Sequence, residues 1–135
     1  LIVPDMPPEE LEREMEDIDT DLDITFLISE NSSPERVGKL GESTSGFAYL
    51  VSTRGTTGAR EDFVEDARRM MKMTSDLEVP RAIGFGVSCQ EHARQAIEAG
   101  ADGVIVGSAL IDAYEQGGLE RMKELASEIR KGVDG

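Results

Sequence analysis

Cysteine is scarce in this sequence, and long hydrophobic runs are absent from it. Its 135 residues include one cysteine, Cys89, which excludes an internal disulfide and suits a reducing cytosol. No run of about 18 apolar residues is present. No basic leader followed by an apolar stretch is present either. The sequence therefore indicates neither a membrane span nor export, and we expect a cytoplasmic protein.

Basic residues are also scarce. The sequence has 14 lysines and arginines and 28 acidic residues, so its net charge is −14. Only four of the basic residues are lysines. A surface this acidic repels nucleic acid and anionic lipid, so we expect neither as a partner. Any anion site must be local and built mainly from backbone amides. The composition fits adaptation to high salt, and it fits an ordinary acidic enzyme.

Side chains with obvious catalytic chemistry are few. His92 is the only histidine. It lies one turn into a predicted helix with no second metal ligand at useful spacing, so we interpret it as structural. Cys89 has no resolving cysteine nearby and is treated as incidental. Met70, Met71 and Met73 fit the face of a helix rather than a metal site, and no metal is predicted.

Five short apolar runs alternate with helical patterns along the chain. Strands are predicted over residues 1–5, 24–29, 47–52, 81–85 and 102–106. The first predicted helix begins at Pro8 and has Leu11, Met15 and Ile18 on one face. The second begins at Ser33-Pro34 and ends at a turn over residues 41–46. Further helices are predicted over residues 61–77, from Cys89 onward, and over residues 108–114 and 119–131. Near-continuous apolar strands alternating with helices predict a parallel sheet covered by helices.

This alternation fits both a doubly wound open sheet and a TIM (β/α)8 barrel. The glycine-ended strand tips and the short helix over residues 108–114 favour the barrel, in which such a helix commonly helps to bind phosphate. A complete barrel needs about 250 residues, whereas this sequence has 135 and begins inside a strand pattern without methionine. We therefore expect one α/β domain over residues 1–135, a partial barrel of five parallel βα units lacking the N-terminal three.

Two glycine-rich strand ends predict a phosphate site. Residues 84–88 read Gly-Phe-Gly-Val-Ser, and residues 103–109 read Gly-Val-Ile-Val-Gly-Ser-Ala. The Ser88 and Glu91 spacing is that of a capping box, so a helix is predicted to begin at Cys89. Glycine at 86 and 107 would let a phosphate approach the backbone, where free amides and the helix dipole attract anions.

Across almost its whole length the chain resembles the tryptophan synthase alpha subunit family. The matching strings are residues 2–10 (IVPDMPPEE), 26–28 (FLI) with Asn31, 46–52 (GFAYLVS) running into 55–60 (GTTGAR), 84–88 (GFGVS) and 106–109 (VGSA). The family usually has prolines around Ser29-Glu30, a departure that could alter this loop and any partner contact there. At residues 55–58 the family commonly has Gly-Val-Thr-Gly, whereas this chain has Gly-Thr-Thr-Gly.

The resemblance implies a lyase of tryptophan biosynthesis that cleaves indole-3-glycerol phosphate to indole and glyceraldehyde 3-phosphate by a retro-aldol reaction. These strands would be the fourth to eighth of its barrel. The residues it implies for the substrate and its phosphate are Asp5, Tyr49, Thr57, Gly58, Gly84, Phe85, Gly86, Gly107 and Ser108.

Each implied role has a structural alternative. The glycines could simply make turns, Thr57 could bond its own backbone, and Asp5 could cap a turn rather than lie near the substrate or a partner. Tyr49, which would border the indole ring and the reacting glycerol, could be a core residue. Phe85 would be both pocket wall and core.

No catalytic residue is implied for this stretch. The family's proton-transferring glutamate and aspartate lie on the second barrel strand and just after it, upstream of Leu1. Glu42, Glu61 and Asp62 occupy turns or a helix start, where acids are expected anyway. Pyridoxal phosphate would belong to the beta subunit of an alpha2-beta2 assembly, and no cofactor is expected in this chain.

Two other interpretations stay open at this point. The chain could belong to another phosphate-binding barrel, such as an indole-glycerol-phosphate synthase, a phosphoribosyl isomerase or an epimerase. It could also be a non-catalytic half-barrel that binds phosphate or only assembles with a partner. Two open sheet edges lead us to expect that these residues alone self-associate or stay partly molten. We expect them to bind phosphorylated ligand weakly at best and to have no lyase activity, because the family's catalytic carboxylates lie upstream.

Overall fold

The computed structural model describes residues 1–17, 20–52 and 60–135. Within these ranges the elements are β1 (Ile2–Val3), α1 (Pro8–Glu14), β2 (Thr25–Ser29), α2 (Pro34–Ser43), β3 (Ala48–Val51), α3 (Arg60–Met73), β4 (Arg81–Ile83), α4 (Gln90–Glu98), β5 (Gly103–Val104) and α5 (Ser108–Asp134). No helix in this described part is long and apolar enough to cross a membrane.

The five strands form one parallel sheet in the order β1-β2-β3-β4-β5. A doubly wound sheet reverses its strand order at a switch point, and this sheet does not. Because parallel crossovers are right-handed, a consecutive order places every helix on the same face of the sheet. The order therefore agrees with the barrel arrangement, which the glycine-ended strand tips and the short helix had favoured over the open sheet.

The two faces of the sheet differ in burial. Ile28, Leu50 and Ile83 are register partners, and each is 0% exposed beneath the helices. Their sequence neighbours Leu27, Tyr49 and Ala82 lie on the opposite face and are only half-buried. The hydrophobic core therefore lies between the sheet and the helices, while the second face carries the side chains that turn toward the inside of a barrel.

Helix α2 begins as predicted and α4 does not. The Ser33 hydroxyl accepts a hydrogen bond from the Arg36 amide at 3.2 Å, with proline at the next position. Helix α4 begins at Gln90 with Cys89 as its N-cap. The Ser88 hydroxyl lies 3.3 Å from His92 Nδ1. The predicted capping box is wrong because Ser88 lies outside the cap position and contacts His92.

Other boundaries moved where local hydrogen bonds end an element. Helix α3 stops at Met73 rather than at residue 77, because the amides of Ser75 and Leu77 donate three residues back, to the Lys72 and Thr74 carbonyls at 3.4 and 3.2 Å, and so form turns. Helix α1 ends at Glu14, so Met15 is its C-cap, while Ile18 lies outside the described residues. Strands β1 and β5, the two edges, are two residues long instead of five.

The predicted break in the last helix is confirmed. Gly117 and Gly118 have non-helical backbone angles, and Gly118 has a φ of 66°, in the left-handed region that favours glycine. The kink separates a short first part that begins at Ser108 from a second part that runs to Asp134. The first part is the short extra helix expected beside a phosphate site.

Candidate functional site

The two glycine-rich segments leave the sheet side by side. Val104 pairs with Ile83, and the Ile105 amide donates to the Ile83 carbonyl at 2.8 Å. The Gly84 amide donates to the Leu50 carbonyl, also at 2.8 Å. Residues 84–88 and 105–108 therefore lie next to each other at the carboxyl ends of the strands, where ligand sites of parallel α/β folds are built.

The N-terminus of α5 provides unpaired donors. The amides of Leu110 and Ile111 donate to the Gly107 carbonyl at 3.0 and 3.1 Å, which leaves Ser108 and Ala109 at the start of the helix. The first amides of a helix have no intrahelical partner. Gly107 and Ser108 are exposed, and nothing lies within 4 Å of a Cβ built on Gly107. An anion can therefore reach these amides at the positive end of the helix dipole.

Gly86 is a glycine for a different reason from Gly107. Its φ is +69°, in the left-handed region, and a Cβ built on it would lie 2.7 Å from Phe63 Cδ2. The backbone conformation and the packing of Phe63 both require glycine here. At Gly107, in contrast, nothing lies within 4 Å of a built Cβ, so packing does not exclude a side chain there.

Phe63 is the centre of an aromatic cluster behind the Gly86 turn. Its ring is 8% exposed, and its centroid lies 6.1 Å from that of Phe85 and 5.1 Å from that of His92. In the sequence, Phe63 is recognisable only as an apolar residue of the helix predicted over residues 61–77. Its contact with the turn was missed because it joins residues far apart in the chain, and periodicity reports only the helix's own buried face.

Tyr49 and Gly84 are brought together on the half-buried face of the sheet. A Cβ built on Gly84 would lie 1.8 Å from Tyr49 Cε2. The ring of Tyr49, from β3, therefore packs directly on the backbone at the start of the 84–88 segment. This contact places a tyrosine beside the predicted phosphate loops. Its contact with an indole ring stays a prediction.

Asp5 is not brought to these loops. It is exposed and borders a cleft of about 400 Å³ at the carboxyl ends of β1 and β2, together with Met6, Ser29, Ser32 and Arg36. Strands β2 and β3 lie between β1 and β4 in the sheet. The structure thus places Asp5 in a separate cleft at the same edge of the sheet.

Glu30 is a site-edge carboxylate that the sequence reasoning treated only as a departure from the family pattern. It follows β2, is half-buried, and accepts a hydrogen bond from the Ser52 hydroxyl at 3.2 Å. This bond joins the carboxyl ends of β2 and β3. The available signal was an acidic residue directly after an apolar strand, the position where ligand-facing side chains of such folds are found.

The remaining candidates are Thr57, Gly58, His92 and Cys89. Thr57 and Gly58 lie outside the described residues. His92 is half-buried against Phe63, in agreement with the structural interpretation. Cys89 is a half-buried free thiol. In the part of the chain that the structure describes, no cluster of histidine, cysteine and acidic residues could hold a metal ion.

Comparison with known proteins places the chain in one family. The family model described as "Tryptophan synthase alpha chain" matches residues 1–133. The alpha chain of Methanopyrus kandleri is 41% identical, with 98% of this chain and 51% of the relative covered. That of Haloferax volcanii is 35% identical, with 98% and 52% covered.

Solved structures agree with the sequence relatives. Tryptophan synthase of Mycobacterium tuberculosis in space group F222 matches with a TM-score of 0.83 and 37% identity, over 98% of this chain and 51% of that chain. The tryptophan synthase a2b2 complex of Pyrococcus furiosus matches with a TM-score of 0.76 and 31% identity, over 99% and 56%.

The chain spans about half the length of the curated relatives it matches. Its structural neighbours are TIM barrels, and its own strands are the consecutive parallel units of such a barrel. Because the family model matches residues 1–133 and the fold agrees, the chain belongs to the tryptophan synthase alpha chain family.

Proposed function

We propose that this chain supplies the phosphate- and substrate-binding part of a tryptophan synthase alpha subunit. The reaction is the lyase step in which indole-3-glycerol phosphate is cleaved by retro-aldol chemistry to indole and glyceraldehyde 3-phosphate. Family membership supports the reaction class. The arrangement of two neighbouring loops at the carboxyl ends of β4 and β5 supports the role of these particular residues.

The open N-terminus of α5 carries the proposal. Ser108 and Ala109 begin the helix with amides that lack intrahelical partners, and the space beside Gly107 is empty. In a chain with a net charge of −14, backbone amides can attract a dianion without a cluster of basic side chains. We therefore assign the substrate phosphate to Gly107 and Ser108, with the amide of Gly86 on the neighbouring loop.

The other assigned residues would act on the rest of the substrate. Tyr49, Gly84 and Phe85 would form the wall that borders the indole ring and the glycerol chain. By family resemblance, Thr57 and Gly58 would complete the enclosure of the substrate, which excludes water from the reaction. These residues orient the substrate, and Asp5 is kept as a contact to the substrate or to a partner subunit.

Proton transfer is assigned elsewhere. Retro-aldol cleavage requires a group that protonates the indole ring carbon and a group that takes the proton of the glycerol hydroxyl. The family's glutamate and aspartate match no position in these 135 residues. We therefore propose that this chain holds the phosphate and positions the reacting carbons, and that it does not release indole by itself.

The proposal extends to a partner and a location. The Pyrococcus furiosus relative is described as a tryptophan synthase a2b2 complex, and we propose a beta subunit as the partner of this chain. Pyridoxal phosphate would belong to that subunit. A cytoplasmic location fits a biosynthetic enzyme with a single cysteine.

A fusion protein tests the proposed reaction. The part of the Methanopyrus kandleri alpha chain that this chain does not cover is joined in front of residue 1, and indole release from indole-3-glycerol phosphate is measured. We expect release from the fusion and none from the 135 residues alone. A folded fusion that binds glycerol 3-phosphate but releases no indole would favour the non-catalytic alternative.

A further inference from the structure

We infer that Phe63 and His92 are positioning residues that hold the Phe85–Gly86 turn in the shape that binds the substrate phosphate. The inference deepens the proposed function and rests on it. Neither residue is assigned to the substrate. Both lie behind the turn, on helices α3 and α4, and they act through the backbone that faces the proposed ligand.

The contact between Phe63 and Gly86 is the first support for this inference. Gly86 adopts a φ of +69°, and the space where its side chain would stand is filled by Phe63 Cδ2 at 2.7 Å. A glycine can leave the left-handed region readily, because it populates positive and negative φ about equally. The ring of Phe63 packs on this flexible point and restricts the alternatives. The turn thus depends on tertiary packing by Phe63 as well as on the glycine at position 86.

The second support is that Phe63 contacts both residues of the turn. Its ring lies 6.1 Å from the ring of Phe85, the proposed pocket wall, at an interplanar angle of 58°. Tilted aromatic pairs at this separation are favourable beyond their buried area. One buried side chain therefore packs against both the proposed wall and the proposed phosphate turn.

His92, on helix α4, packs against Phe63. The two rings lie 5.1 Å apart at an angle of 32°, and His92 Nδ1 is 3.3 Å from the Ser88 hydroxyl at the end of the same loop. The only histidine of the chain thus links α4 to Phe63 and to Ser88. Together the two side chains support residues 85–88 from behind, which gives His92 a function without any role as a base.

The test compares Phe63→Ala with Met70→Ala. Met70 lies on the same helix and is 1% exposed. It has no aromatic ring, so it cannot form the ring pairs that Phe63 makes with Phe85 and His92. Both truncations remove a large buried side chain and destabilise the fold. Binding of glycerol 3-phosphate is measured by equilibrium dialysis with glycerol as the reference. Hydrogen exchange of the peptide spanning residues 84–92 is followed by mass spectrometry.

We expect Phe63→Ala to weaken glycerol 3-phosphate binding by about tenfold and to speed exchange over residues 84–92, whereas Met70→Ala changes affinity by less than about twofold. Phe63→Leu, which keeps bulk against Gly86, should recover most of the affinity. His92→Ala should weaken binding and speed exchange in the same way as Phe63→Ala, but by less. His92→Phe, which keeps the ring contact, should leave both close to those of the parent.

Equal effects of Phe63→Ala and Met70→Ala on affinity and exchange would overturn the inference and leave the proposed function standing. A parent chain that binds glycerol 3-phosphate no better than glycerol would instead contradict the proposed function. The exchange comparison remains informative in that case, since unchanged exchange over residues 84–92 in Phe63→Ala would also overturn the inference.

Discussion

The ring of Tyr49 fills the space that a side chain at position 84 would need, because a Cβ on Gly84 would stand 1.8 Å from Tyr49 Cε2. This contact joins the middle of β3 to the first residue after β4. It explains why the segment that leads to the proposed phosphate turn begins with glycine, and it fixes a tyrosine beside that segment.

Replacement of Gly84 by alanine should therefore destabilise the protein. Either the Tyr49 ring or the backbone must move, and overpacking of this kind costs about 1–3 kcal/mol. The matched control is Gly38→Ala in α2, where nothing lies within 4 Å of the new Cβ and helix propensity predicts a gain of about 0.5–1 kcal/mol. Urea unfolding measures the stability of both variants. Similar stabilities for the two variants would show that the Tyr49 contact is not restrictive.

Arg81 should stabilise the opposite end of the sheet. Its guanidinium donates to the carbonyls of Met71, Thr74 and Gly100 at 3.2, 3.4 and 3.5 Å, and its side chain is only 21% exposed. These carbonyls stand at or just after the ends of α3 and α4. Arg81→Ala removes these donors, although the Thr74 carbonyl still accepts from the Leu77 amide at 3.2 Å. We expect a loss of about 1–3 kcal/mol.

The control for Arg81 is Arg130→Ala. Arg130 pairs with Asp134 at 2.7 Å, but its side chain is 72% exposed, and an exposed pair contributes about 0–1 kcal/mol. Thermal unfolding measures the stability that each variant loses relative to the parent. If Arg130→Ala were as destabilising as Arg81→Ala, the helix-end role of Arg81 would be wrong.

Glu9 should give the fold a small acid-sensitive contribution. A hydrogen bond to its backbone lowers the pKa of Glu9 below the ordinary value of 4.5, with help from the charges of Arg36 and Lys39. A carboxylate with a lowered folded-state pKa stabilises the protein above the unfolded value, and this is lost as the pH falls through the folded value. The difference in unfolding free energy between the parent and Glu9→Gln should therefore vanish in acid.

Salt provides the control for the Glu9 prediction. Glu9 is exposed, so its interaction with Arg36, 3.7 Å away, should be screened at high ionic strength. Unfolding is measured above and below pH 4.5 in low and high salt. A difference between the two proteins that grows in acid would have the wrong sign for this account.

The 135-residue chain should self-associate. In the described residues β1 and β5 each pair on one side only, and Leu1 and Ile2 beside the first edge are 57% and 50% exposed. An unprotected apolar edge is a template for pairing with another chain. Size-exclusion chromatography should show species larger than 14.7 kDa, and Ile2→Lys should shift them toward the monomer. A monodisperse monomer at all concentrations would contradict the prediction.

Local chemistry predicted much of this fold. The buried face of α3, the Ser33 cap and the glycine break in the last helix depend on neighbouring residues, and the structure has all three. The strand order could not be predicted from the alternation of strands and helices, because open sheets and barrels both have this alternation. The α4 start was wrong because the contact between Ser88 and His92 competes with the capping box.

The candidate site divides in the same way. Glycines at strand ends located residues 84–86 and 107–108, and the structure places these two segments side by side. Why each glycine is needed could not be seen, because Tyr49 and Phe63 approach Gly84 and Gly86 from distant parts of the chain. Only a folded structure brings these rings to the backbone of the turn.

A charge comparison at Gly107 tests the central claim most directly. The space beside Gly107 is open, so Gly107→Glu and Gly107→Gln should both fold and differ only in the negative charge beside the proposed phosphate. Affinity for glycerol 3-phosphate is measured by equilibrium dialysis. The account predicts that the glutamate variant binds at least about tenfold more weakly than the glutamine variant, whereas equal affinities of the two variants would show that no phosphate binds at the N-terminus of α5.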